Sequence, residues 1–446
     1  MDRIRLATLA VAPLTALCLA AAPASAAPTL PRAEVTAEVQ TPVLHDSDEG
    51  DLASGDDPAI WVHPTDSHRS LVLATAKEGG LRVYDLAGRQ VQSLAAEAFP
   101  NAGRYNNVDI AWGVRLGDRT VDLAVVSDRY NDTLRFFTID PAGAAASTPL
   151  VEVTAPGYDW LFVTSEDELA DEHTAYGLAV WQPASGGTFA VVTQEARTTL
   201  AVAEITPQAN GTVGYEVVRE IVMPASFPLR DGTTWTPCEE PGVDPQFEGV
   251  TVDQAGGVLY AAQEDVGLWR IDLVGRKAPV LIDKVRDFGI HDAWDEETEE
   301  CEPLPDQPSE DANPYGGTIT ADAEGVDLYY GPGTTGYVIL SSQGSDEFVV
   351  YARQGRNKLV GSFKVGAGNG LDAVHGSDGL AVTNRPVGDF RQGLLVTHDE
   401  PHSGEGVDDG QDPTNFHFVD WVQVADGLGL TLNKASLRAS NDPRFR

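Results

Sequence analysis

The chain has 446 residues and carries 68 acidic against 30 basic side chains, a net charge of −38. A surface this negative excludes DNA, RNA and anionic membranes as partners, and the 42% of apolar residues leaves material for a large core. With 44 glycines, 28 prolines and alternating Val, Ile, Leu, Phe and Tyr, the composition favours an all-β protein rich in turns, and no long amphipathic helix stands out.

In chain order, residues 1–26 read as a secretory leader. Arg3 and Arg5 form the basic start, residues 6–22 are apolar but too short and small-sided to span a bilayer well, and Ala24-Ser25-Ala26 fits the small-x-small cleavage rule. Leu17 before Cys18 is wrong for lipid attachment, so the expected destination is extracellular. Residues 27–45 are expected to hold a linker and a closing strand, read at residues 33–44, that joins the last unit of a ring and removes its open edge. The matching strand from the other end is read at residues 415–424. Residues 46–431 form the main domain, and residues 432–446 read as a basic, frayed tail.

Within the main domain one pattern returns at intervals of roughly 50–75 residues. It runs Asp57-Pro-Ala-Ile-Trp-Val, Asn107-Val-Asp-Ile, Ala175-Tyr-Gly-Leu-Ala-Val, Phe247-Glu-Gly-Val-Thr-Val-Asp, Ala323-Glu-Gly-Val-Asp-Leu-Tyr-Tyr and Ser377-Asp-Gly-Leu-Ala-Val. Five of the six segments put an acid at or beside the start of a strand, and the third puts Tyr176 there. Short strands repeated in this way predict a β-propeller, in which equivalent positions of every blade meet at one end of a central channel. Gathered acids need cations, and oxygen-rich sites select calcium over zinc or copper.

Other signals are weaker. Cys238 and Cys301 lie in acidic, proline-rich insertions and suit a disulfide between loops better than a zinc site. Gly331-Pro-Gly-Thr-Thr-Gly has the letters of a dinucleotide fingerprint, but it lies between two strands and reads as a hairpin turn. The acids of residues 46–57 lack the final Glu of an EF-hand and read as solvated, Asp57 excepted. Asp109 and Asp399 are secondary ligand candidates; His63, His375 and His398 read as exposed turn residues, and Trp61 and Trp269 as core. No Gly-x-Ser-x-Gly elbow, His-Glu-x-x-His, Cys-x5-Arg loop or Arg-His-Gly motif is present, so covalent hydrolysis has no local signature.

Asp56-Asp-Pro-Ala-Ile-Trp-Val-His-Pro, Asn106-Asn-Val-Asp-Ile, Phe247-Glu-Gly-Val-Thr-Val, Ala323-Glu-Gly-Val-Asp-Leu-Tyr-Tyr, Ser341-Ser-Gln-Gly and Tyr351-Ala-Arg-Gln-Gly-Arg-Asn-Lys together resemble the β-propeller phytases. The likeness runs in order from about residue 56 to 424. It implies a six-bladed propeller, each blade mostly of four antiparallel strands, in agreement with the six segments. It also implies a calcium-dependent enzyme, expected to be monomeric, that releases phosphate from inositol hexakisphosphate, taken as its calcium complex. Carried over position by position, Asp57, Asp322, Glu324, Asp372 and Asp378 correspond to ligands of several calcium ions, with Glu248 and Glu264 shared between metal and substrate. Lys77, Arg129 and Tyr176 correspond to phosphate-holding groups. Glu248 is expected to act as the base or water-orienting group, with Glu264 the alternative.

The chain departs from the family where Glu78 stands in place of a second lysine and Ala111 in place of an arginine. Arg197 is the nearest substitute for a basic residue missing from the loop at residues 192–197. These losses predict weaker binding of a neighbouring phosphate and a preference shifted toward less phosphorylated substrates. Two other readings remain open: a six-bladed calcium lactonase or esterase, with one central ion and an apolar pocket, and a non-catalytic calcium-stabilised binding module.

Overall fold

The computed structural model describes residues 30–46, 53–96, 102–157, 159–275, 277–298, 300–400, 412–433 and 442–445; the leader read at residues 1–26 lies outside them. Six sheets form the blades. The first runs Pro58–Trp61, Leu71–Thr75, Leu81–Tyr84 and Gln90–Leu94 from the axis outward; the second runs Tyr105–Leu116, Arg119–Asp128, Thr133–Ile139 and Leu150–Glu152. The third holds Ala175–Trp181, Phe189–Gln194, Thr199–Pro207 and Val213–Val222, and the fourth Phe247–Asp253, Val258–Gln263, Gly267–Asp272 and Val280–Lys284. The fifth holds Ala323–Tyr330, Gly336–Ser342, Glu347–Ala352 and Leu359–Gly366, and the sixth Leu380–Thr383, Leu394–Asp399 and Asp412–Asp420. Each innermost strand packs against the next, and Leu380–Thr383 returns to Pro58–Trp61. The ring is closed, as a six-bladed β-propeller requires.

The chain ends depart from the sequence reading. The strand expected at residues 33–44 is divided between two blades. Arg32–Thr36 adds in parallel to Leu359–Gly366 of the fifth blade, while Val39–Gln40 and Leu44–Asp46 pair antiparallel with Asp412–Asp420 of the sixth. One straight strand cannot follow two sheets set at different angles around a ring, so the chain breaks its extended course between them at Ala37 and Glu38. The expected strand at residues 415–424 stops at Asp420, whose carboxylate caps the helix Trp421–Leu428 by accepting the Val422 N–H at 3.0 Å. The helix buries Trp421, Val424, Ala425 and Leu428, a single 3.6-period face, and ends at Gly429 in the left-handed conformation. The tail is not frayed at residues 442–445. Asp442 is fully buried, and Arg444 joins it, faces Asp327 at 3.8 Å and covers the Tyr330 ring at the end of the channel away from Glu248.

The recurring acid-glycine pair has a local structural cause. In blades two to five the innermost strand slips register where the pattern falls: between Tyr105 and Val108, Ala175 and Leu178, Phe247 and Val250, and Ala323 and Val326. These bulges turn the first side chain of each pair toward the channel mouth. The glycine that follows lies against the next blade. A Cβ on Gly177 would sit 1.8 Å from the Glu248 carbonyl oxygen, and one on Gly249 would sit 2.2 Å from that of Glu324. The neighbouring atoms are backbone and cannot yield, so glycine lets consecutive blades close up and brings their acids together. Gly249→Ala is expected to cost more than about 3 kcal/mol and to release apolar surface at one blade junction, read as a lower melting temperature with dye binding. Wild-type melting would show that the blades can part freely.

Aspartates also tie neighbouring blades. Asp57 Oδ2 accepts the Val108 N–H at 3.1 Å, Asp109 Oδ2 that of Val180 at 2.7 Å, and Asp327 Oδ2 that of Val382 at 2.6 Å. Cys238 and Cys301 are bonded, with 6.0 Å between their Cα atoms, which links the insertion after the third blade to the hairpin Asp292–Asp295/Glu300–Pro303. Gly331-Pro-Gly-Thr-Thr-Gly is the turn of a hairpin, as read.

Candidate active site

The bulges deliver Tyr176, Glu248 and Glu324 to one mouth of the channel, where Glu264 joins them from the end of Val258–Gln263. Oxygens of Glu248, Glu264 and Glu324 lie within 4.8 Å of one another, and all three residues are buried. At that spacing two ionised carboxylates repel by on the order of 3 kcal/mol at an effective dielectric of about 20. Three such pairs would consume a large share of a fold's ordinary stability, which is roughly 5–15 kcal/mol. The cluster therefore holds protons or a cation.

Glu248 is the hub. Its Oε1 accepts from the Asn106 amide at 2.8 Å and its Oε2 from the Tyr176 hydroxyl at 2.8 Å, so both oxygens are held in place. Burial pushes Glu264 and Glu324 well above the ordinary carboxylate range, with the Glu248 charge as the next cause in both. Asp57 is raised by burial, and Asp322 by burial and then by Glu248. Asp378 is pushed up to about 6 by burial, against the pull of Lys77. Burial and then Glu248 also raise the Tyr176 phenol.

Lys77 lies 3.7 Å from Asp56 Oδ2 and 3.6 Å from Asp378 Oδ2. Burial works to lower its pKa, but those two acids outweigh it and keep the ammonium charged. Arg129 pairs with Glu195 and with Glu172 at 3.4 Å, and its guanidinium lies 5.4 Å from the centre of the Tyr176 ring. Gln343 of Ser341-Ser-Gln-Gly donates to Asp378 Oδ1 at 2.7 Å, and Gln246 to Glu264 Oε2 at 2.9 Å.

Most of the residues singled out in the sequence meet here. Glu248, Glu264, Glu324, Tyr176, Lys77 and Asp378 are linked directly by contact or field, with Asp57, Asp322 and Arg129 beside them. Asp372 does not join that group. Its carboxylate clusters instead with Asp399 and His417, while Asp378 also groups with His398 and Glu400, both sets within 4.8 Å. Arg197 also stands apart. It donates to the carbonyls of Ala196 at 2.6 Å and Gly242 at 2.7 Å and meets His173 Nδ1 at 3.0 Å. Asp109 serves the Val180 backbone inside the channel. His63 and His398 are buried rather than exposed. The His63 ring receives the Thr65 and Asp66 N–H groups, and burial lowers His398 to about 4.

Sequence reasoning missed Asp56, Asn106 and Glu195 as site members. Asp56 and Asn106 each precede a residue of the repeat; at Asn106 the bulged strand start displays two successive side chains, while Asp56 lies just ahead of the first blade's regular strand. Glu195 carried no such mark; only the fold brings it to Arg129.

The match to known proteins agrees with this geometry. The family model described as Phytase matches residues 3–227 and 302–444. A curated relative, the 3-phytase of Bacillus subtilis (strain 168), is 29% identical over 403 residues, covering 89% of this chain and 86% of the relative. Among solved structures, BBS1N in complex with ARL6DN aligns over 80% of this chain and 77% of its own at 12% identity and a TM-score of 0.36. The β-propeller domain of Myceliophteria thermophila Cps50 (Swd1) aligns over 81% and 83% at 10% identity and a TM-score of 0.37. The family match spans most of the sequence, and with it the chain is a phosphoric monoester hydrolase of the phytase family.

Proposed function

We propose that the protein is an exported, calcium-dependent phytase that removes phosphate from myo-inositol hexakisphosphate by direct attack of water. One observation carries the reading: an acid cluster with unsatisfied oxygens beside an ordered set of cations. Glu264 Oε1, Glu324 Oε2 and Asp56 Oδ1 are buried without a hydrogen-bond partner among the described residues. Hard oxygen donors grouped in this way fit calcium. When bound, calcium supplies positive charge to phosphate oxygens and acidifies a coordinated water.

The protein groups do the rest. Glu248, fixed by Asn106 and Tyr176, accepts the proton of the attacking water and sets its line of approach. Lys77 and Arg129 hold the equatorial phosphate oxygens, while the Tyr176 hydroxyl keeps its single proton directed at Glu248 Oε2 and holds that carboxylate in line. Asp57, Asp322, Glu324 and Asp378 serve as metal ligands, with Glu264 shared between metal and substrate. Asp372, Asp399 and His417 suit a separate ion outside the catalytic centre. The disulfide and the leader at residues 1–26 support export into an oxidising compartment. A ring that a single chain closes supports a monomer.

The adjacent cations disfavour the lactonase reading, which needs an apolar pocket. Phosphate release from phytate should require calcium and vanish with chelator. Turnover of a lactone in place of phytate, or calcium-dependent melting without any turnover, would favour the other two readings.

A further inference from the structure

The rim of the site carries a cation that the repeat did not reveal. Lys77, Arg104 and Arg129 stand side by side where blades one and two meet. The Tyr105 N–H donates to the Lys77 carbonyl at 3.1 Å and the Arg129 N–H to the Arg104 carbonyl at 2.8 Å. The Arg104 N–H is fixed in turn by Asp128 Oδ1 at 3.1 Å. The three side chains are similarly recessed, 18%, 18% and 17% exposed, and Arg104 is close enough for its charge to act on Lys77 and for Asp56 to act on it.

Arg104 is held, but not saturated. Its Nη1 donates to Glu78 Oε1 at 2.5 Å, and its guanidinium lies 5.8 Å from the centre of the Tyr130 ring. The Tyr130 hydroxyl donates to the same Glu78 oxygen at 2.9 Å. Arg104 Nε is buried with no hydrogen-bond partner among the described residues, and neither has Glu78 Oε2. The sequence reading treated Glu78 as a positive charge lost. In the fold, Arg104 neutralises Glu78 and places a positive charge beside Lys77, so the cation is moved rather than lost. Ala111, the other position noted, is fully buried in the core and faces no substrate.

We propose that Arg104 is a specificity-determining residue that binds a second phosphate group of a polyphosphorylated substrate, with Glu78 as the partner it gives up on binding. The inference rests on the phytase reading of the same site and names its second anion contact. A guanidinium that spends only Nη1 on one carboxylate oxygen can exchange it for a phosphate dianion, which offers more acceptors and more charge. A monophosphate bound at Lys77 and Arg129 has no second group to offer, so it gains nothing from Arg104.

The test uses the full-length calcium-loaded protein and two readouts. The first is the calorimetric Kd for myo-inositol hexasulfate, a polyanion that needs no turnover. The second is kcat/KM for phytate and for 4-nitrophenyl phosphate. Arg104→Ala should weaken hexasulfate binding and lower kcat/KM for phytate by about 10–100-fold, leaving 4-nitrophenyl phosphate within about twofold. Arg104→Lys should recover part of the loss, and Glu78→Gln should tighten hexasulfate binding, because it removes the competing charge. Unchanged hexasulfate affinity in Arg104→Ala, or equal losses on both substrates, would overturn the proposal. So would wild-type affinity in Glu78→Gln. A wild-type protein that binds hexasulfate but does not hydrolyse phytate would overturn the phytase reading alone, because the binding readout still decides the role of Arg104.

Discussion

Glu248→Gln is expected to lower phosphate release from phytate at least about 1,000-fold while making the calcium-free protein more stable. The two effects have one origin. Glu248 is a base and water-orienting group in the proposed mechanism, and general-base contributions run to about 10²–10⁴-fold. The glutamine keeps the shape and one acceptor for Asn106 or Tyr176 but cannot take a proton. Its charge is also what its neighbours resist: after burial it is the next cause raising Asp56, Glu264, Asp322, Glu324 and Tyr176. Removing that charge without calcium relieves repulsion and should raise the melting temperature by a few degrees. With calcium the sign reverses, because the carboxylate charge that helps attract the cation to the cluster is lost. Steady-state phosphate assays and paired melting curves with and without chelator measure both. Activity within tenfold of wild type would remove Glu248 from the base role, and an unchanged calcium-free melting temperature would mean that the acids do not repel.

Calcium should reverse the pH dependence of stability. In the metal-free protein burial raises Asp56, Asp57, Glu264 and Glu324 well above the ordinary carboxylate value and pushes Asp378 up to about 6. Between the unfolded value near 4 and those folded values, the native state binds more protons than the unfolded chain. The slope of stability with pH is then negative, so the metal-free protein loses stability from about pH 4 through pH 6 and beyond. Calcium binds the ionised carboxylates and adds about 4 kcal/mol per site at a thousandfold excess over Kd. Its stabilisation therefore grows through the same range. Melting at pH 4.5, 6 and 8 in chelator and in calcium should give curves that diverge as pH rises. Parallel curves would mean that the buried acids are not the metal's ligands.

The repeat made the ring legible because a propeller reuses variants of one local device from blade to blade. Acid, glycine and a strand in sequence mark a bulge, a close approach and a channel wall, and each can be read from a few letters. Glu248, Glu324, Asp378 and Tyr176 were legible because they occupy that device, whereas Glu264, at the end of a second strand, was legible only through the family resemblance. The path of the chain ends was less legible. Residues 33–44 have a continuous strand pattern, and only the angle between neighbouring sheets divides them. Trp421 and its neighbours alternate well enough for a strand, but the Asp420 cap and the face containing Val424 and Leu428 favour helix. Arg104, Arg197 and Glu195 illustrate a further limit. Long charged side chains reach their partners across loops, and their targets depend on distances that no local pattern encodes.

The seam in the sixth blade joins strands made early, Val39–Gln40 and Leu44–Asp46, to Asp412–Asp420, the last described strand to leave the ribosome. Val39–Gln40 finds its mate only when His417 and Phe418 exist. Until then the nascent polypeptide holds an open arc with two exposed sheet edges, and its catalytic mouth stays incomplete because Asp378 belongs to the same late portion. A chain cut short before residue 412 lacks the strand that Val39–Gln40 and Leu44–Asp46 pair with, so the sixth blade is left without its seam. Premature termination should therefore yield an aggregation-prone fragment rather than a smaller working enzyme.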